Sequence, residues 1–168
     1  MTGVRALIDR VLALTISVLM ALMVGNVLWQ VFTRFVIGRP SSFTEELARY
    51  LMIWVGMLGA AYAAGRKSHL ALDLLSGHLE GARKRVSEIF IQSCVLLFAL
   101  AVMLGGGGRL VWIQLSLGQK SAALQWKLGY VYLALPLAGA IIVIYSLMAL
   151  ADALRHRVTT GTQSSGLN

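Results

Sequence analysis

The chain has 168 residues, 58% hydrophobic and 13% charged, with fifteen Lys and Arg against seven Asp and Glu and a net charge of +8. A mean hydropathy of +0.75 implies more apolar surface than a water-soluble domain of this length can hide, and a bilayer core about 30 Å thick is the solvent that accepts it. The basic residues lie between apolar runs and form no stripe interleaved with aromatics, which argues against nucleic acid and for orientation in a membrane with anionic headgroups. Cys94 is the only cysteine, so an intramolecular disulfide, a paired-thiol redox centre and a four-thiolate metal site are excluded. His69, His78 and His156 fall in polar segments, which argues against a haem held between helices.

In chain order, Arg5 and Arg10 precede an apolar run that continues to Phe32, too long for the apolar part of a cleaved signal, so a first span over 11–33 is expected. Ser42, with Glu45 three residues later, matches a capping box and opens a second span over 43–64. Glu45 and Arg49 stand one turn apart and are expected to pair, while Glu46 and Arg49 lie at headgroup level within reach of water or a partner. Leu70 to Leu79 reads as an amphipathic segment lying in the interface, followed by the basic turn Arg83-Lys84-Arg85 and a third span over 86–108. Gly105 to Gly108 lacks the following Lys-Ser or Lys-Thr of a phosphate loop and reads as a loosened helix end or a close helix approach. A fourth span over 128–151 completes a single all-α domain over 1–157, and the polar tail over 158–168 is expected to be disordered.

Arg5, Arg10, Arg66, Lys67, Arg83, Lys84, Arg85, Arg155 and Arg157 fall on one side of such a four-helix arrangement, and Arg34, Arg39, Arg49, Arg109, Lys120 and Lys127 on the other. The excess predicts both termini in the cytoplasm. Trp29, Trp112, Trp126, Tyr130 and Tyr132 gather at span ends on the external side, as an aromatic belt does.

Asn26, Gln30, Gln92 and Ser93 are the strongly polar groups expected inside the spans, with no ionisable group deep in any of them; interhelical hydrogen bonding accounts for such residues more simply than a substrate path. His69 and Asp73, with His78 nearby, have the spacing of a weak metal-ligand pattern, for which a capping or interfacial role is the simpler reading. No Ser/His/Asp, Cys/His or paired-carboxylate arrangement falls in one water-accessible place, so no catalysis is expected.

The stretch Arg34-Phe35, Phe43-Thr44-Glu45-Glu46-Leu47-Ala48-Arg49-Tyr50, Trp54 through Gly59-Ala60, and His69 through Asp73 resembles the small membrane subunit of tripartite ATP-independent periplasmic (TRAP) transporters, and Ser121 to Leu124 with Leu135-Pro136-Leu137 is similar to that family's entry into the fourth helix. The resemblance implies a non-catalytic scaffold in the bacterial inner membrane. It would pair with a large membrane subunit that holds the sodium and substrate sites, and a periplasmic binding protein would deliver an organic acid of sialic acid or dicarboxylate type. Arg34, Glu45, Glu46, Arg49, Trp54, Gly59, His69 and Asp73 are the family-like scaffold residues, and of these the paired Glu45 and Arg49 and the segment around His69 and Asp73 would help to set the scaffold in the bilayer. External Arg34, Arg39, Lys120 and Lys127 could meet an acidic face of the binding protein or the phosphates of membrane phospholipid. A second reading, a self-assembling four-helix channel or small exporter, requires Asn26, Gln30 and Gln92 to share a pore.

Overall fold

The computed structural model describes residues 2–38, 42–76 and 82–160. Four helices are long and apolar enough to cross a membrane: Arg5–Ile37, Ser42–Arg66, Ile89–Ser116 and Leu128–Ala151. The first is α1 (Thr2–Phe32), which ends in a π-helical turn over Thr33–Ile37. Gly38 stops it with a left-handed φ of 72°, a conformation that costs glycine little.

Helix α2 (Ser42–Ser76) begins at the serine of the capping-box pattern and runs for 35 residues. Residues 70–76 therefore continue the second helix as part of it; the rest of the expected interfacial segment lies outside the described residues. The third helix is compound: α3 (Ala82–Phe98) passes through π-helical residues Ala99–Gly106 into α4 (Gly107–Ser116). The glycine run thus lies within a helix. Helical residues are loosened there without ending the rod, because glycine lacks the side chain that would resist a widened turn yet keeps its backbone donor and acceptor. Arg109, expected in the connection after the third span, sits inside α4 in consequence.

The fourth helix is broken near its start into α5 (Leu128–Tyr132) and α6 (Ala134–Thr160). Pro136 has no N–H to donate to the carbonyl of Tyr132 four residues earlier, and it is tolerated because it falls in the first turn of α6. Helix α6 includes residues 158–160 of the expected polar tail; residues 161–168 lie outside the described ones.

Helix α1 packs chiefly on α2, α2 on α6, and α6 on the third helix, so α2 and α6 form the middle of the arrangement. Ile8, Leu12, Ile16 and Leu19 recur at helical spacing along α1 and meet Trp54, Leu58, Tyr62 and Tyr145. A second cluster joins α2 to α6 and the π-helical segment through Ala61, Ala99, Met103, Ala138 and Ile142. Small residues permit this close approach: a Cβ on Gly139 would stand 2.6 Å from that of Met103. Most other apolar side chains of α1 and α3, among them Leu14, Leu28, Phe90 and Leu97, face outward, as lipid allows.

Candidate functional site

Two polar assemblies tie these helices together, one at each end of the α2 span. Glu46 in the second turn of α2 and Gly65 near the end of the span are separated by nineteen residues, or about 28 Å along a helix. That is close to the thickness of a bilayer core.

At the first end Glu46 is a receiver for three donors. One carboxylate oxygen accepts the Tyr50 hydroxyl at 2.7 Å, one turn along the same helix. The other accepts the backbone N–H groups of Ala123 at 2.8 Å and Leu124 at 3.0 Å. The hydroxyl of buried Ser121 accepts the Leu124 N–H at 3.3 Å. Two successive N–H groups aimed at one anion make a concave nest, and charge-assisted bonds of this kind are the stronger ones. The connection between α4 and α5 is thereby fastened to the start of α2.

That connection is itself ordered. Ser121 N–H donates to the Trp126 carbonyl at 2.8 Å, Leu128 N–H to the Gln119 carbonyl at 3.0 Å, and Gln125 N–H to the Ser121 carbonyl at 3.2 Å. Gly118 and Gln125 make the necessary turns with φ of 58° and 57°. Nearby, the Asn26 side-chain amide donates to the Thr44 carbonyl at 2.7 Å, joining α1 to the first turn of α2. This is the interhelical use expected of Asn26.

At the other end, Arg5 of α1 donates to the Gly65 carbonyl of α2 at 2.9 Å and lies over the Tyr145 ring of α6, 5.8 Å from its centroid. The Tyr145 hydroxyl donates to Asp9. Tyr145 is almost fully buried, and its ring occupies the space beside Gly65, where a Cβ would meet ring carbons at 2.7 Å. Three helices converge on one tyrosine.

The other expected residues are placed as follows. Glu45 and Arg49 pair at 3.4 Å in the open, as their spacing predicts. Trp54 packs within the α1–α2–α6 cluster. Gly59 has open space at its Cβ position, so no close approach requires it. The Arg34 guanidinium lies 5.9 Å from the centroid of the Phe35 ring. Lys120 and Lys127 are brought opposite one another, with both residues exposed. Arg39 and the side chains of His69 and Asp73 lie outside the described ones, and the imagined metal site with them. Among the described residues, no three His, Cys, Asp or Glu side chains gather.

Asp9, Tyr145 and Gln114 were not singled out by sequence, and Ser121 was noted only as part of the stretch 121–124. Asp9 has a visible signal, its four-residue spacing from Arg5. Gln114 adds to the expected set of polar groups within the spans, since the third helix extends past it; its side-chain oxygen is buried and has no hydrogen-bond partner among the described residues.

Residues 23–156 match the DctQ component of the tripartite ATP-independent periplasmic transporters. The chain is 32% identical over 108 residues to the sialic acid TRAP transporter small permease protein SiaQ of Vibrio cholerae, covering 64% of this chain and 58% of that protein. It is 31% identical over 113 residues to the isethionate TRAP transporter permease protein DctMQ of Oleidesulfovibrio alaskensis, covering 67% of this chain but only 18% of that longer protein. A putative TRAP transporter small permease protein of Haemophilus influenzae is 28% identical over 123 residues, 73% of each chain. These are permeases and not enzymes, and this multi-pass membrane protein belongs with them to the DctQ small-permease family of TRAP transporters.

Proposed function

We propose that this chain is the fixed, non-catalytic scaffold of a sodium-driven, binding-protein-dependent importer of an organic acid. The observation that carries the reading is the use made of its polar groups: Glu46, Asn26, Arg5, Asp9 and Tyr145 bind helices or the α4–α5 connection of this same chain. Groups committed to holding helices together at both ends favour rigidity over a moving substrate path, and Asn26, needed by a pore, is bound to Thr44. The sodium and substrate sites then belong to a large membrane subunit. The DctMQ relative, in which the part matching this chain is a small share of one polypeptide, supports that pairing.

In this reading the protein lies in the bacterial inner membrane with both termini cytoplasmic, following the excess of Lys and Arg on that side. The Glu46 assembly then faces the periplasm, where the binding protein arrives. Sialic acids and dicarboxylates are the substrate classes favoured; the sialic acid permease relative supports a carboxylate.

Co-purification in mild detergent from cells expressing the neighbouring genes tests the pairing. A stoichiometric complex with a large membrane subunit is expected. A chain recovered alone as a stable monomer, or one that transports by itself in liposomes, would overturn the proposal.

A further inference from the structure

The Lys120–Lys127 pair has no role in fastening the α4–α5 connection, yet its backbone geometry is closely defined. The Ser121 to Trp126 and Leu128 to Gln119 hydrogen bonds flank the pair on both sides. An antiparallel pair bracketed in this way is of the closely spaced kind, with Cα atoms about 4.5 Å apart and both side chains leaving on the same face. Two like charges directly opposite one another destabilise such a pair. Among the described residues the only ion pair is Glu45–Arg49, so neither lysine has an acidic partner there. Glu46, the carboxylate bound to this connection, is engaged in its own hydrogen bonds to Tyr50, Ala123 and Leu124.

We propose that Lys120 and Lys127 together form a binding site for the phosphate of an anionic phospholipid headgroup. The connection lies between Ser116 and Leu128, the ends of two helices long enough to cross the membrane, which puts the two ammonium groups at headgroup depth. Leu117 and Trp126, 64% and 58% exposed, stand on the same connection and supply the apolar and amphipathic contacts of the layer just below. These neighbours favour lipid over an acidic protein face. The Glu46 nest holds the connection in shape before any lipid arrives, so little ordering cost remains to be met on binding. The proposal requires only that the chain spans a membrane; it stands apart from the scaffold reading and from either orientation.

The test uses the full chain in mild detergent, titrated with phosphatidylglycerol or phosphatidylcholine, with bound lipid read by native mass spectrometry and protection read by thermal unfolding. Wild-type protein is expected to retain phosphatidylglycerol several-fold over phosphatidylcholine and to be stabilised by it. The Lys120→Gln/Lys127→Gln double variant should lose that preference, and Lys120→Arg/Lys127→Arg should keep it. Absence of a preference in the wild-type protein overturns the proposal without recourse to any variant. So does an unchanged preference in the Gln variant, including the case in which that variant instead loses affinity for an acidic secreted protein.

Discussion

Glu45 and Glu46 are adjacent in the chain, yet one meets water beside Arg49 while the other is hydrogen-bonded to Tyr50, Ala123 and Leu124. The exposed pair is worth little, so Glu45→Gln should change unfolding by less than about 0.5 kcal/mol. Glu46→Gln keeps the shape but removes the charge, and its side-chain NH2 faces donors where the carboxylate offered acceptors. Limited proteolysis of the purified protein should cut 117–127 several-fold faster in that variant, with the rest of the chain unaffected. The Glu45–Arg49 contact was legible because it is local. The backbone partners of Glu46 lie 77 and 78 residues away, and no spacing rule points across that distance. Glu46 could be singled out, but its use could not.

At the scale of elements, α1, α2 and α6 meet around Tyr145. Tyr145→Phe keeps the packed ring and removes the bond to Asp9, an interhelical contact worth about 1 kcal/mol in a membrane protein. Gly65→Ala places a methyl group against a ring already held by Arg5 and Asp9, and overpacking of this kind costs about 1–3 kcal/mol. Both values are read from denaturant or thermal unfolding in one detergent, and Gly65→Ala should be the more damaging. The four long apolar stretches were plain in the sequence, since hydropathy alone reports them. The route of the third helix through Gly105–Gly108 was not. Glycine weakens any helical pattern whether or not the helix stops, and Arg109 just after the run looked like a boundary. Packing of Met103 and Gly107 against α6 overrides that local preference: a Cβ on Gly107 would lie 3.0 Å from Leu135.

Across the whole molecule, the proposed orientation makes a direct prediction about which ends are wet from which side. With Cys94 replaced by Ser, a single cysteine at Gln119 should react with a membrane-impermeant maleimide in intact spheroplasts. A single cysteine at Gly3 should react only after permeabilisation. The reverse pattern would invert the scaffold and move the Glu46 assembly to the cytoplasmic face.

The eight π-helical residues between α3 and α4 carry a further consequence. A widened stretch behaves as an inserted residue, and an α-helix turns by about 100° per residue, so α4 leaves the glycine run out of phase with α3. The face of α4 that delivers the chain to residues 117–127 is therefore selected by that offset. Replacing Gly105 and Gly106 by Ala favours a regular α-helix at unchanged length, which should swing α4 round by about that angle and carry Ala123 and Leu124 away from Glu46. Residues 117–127 should then be cut as fast as in Glu46→Gln, although every hydrogen-bonding group of the nest is still present in the chain.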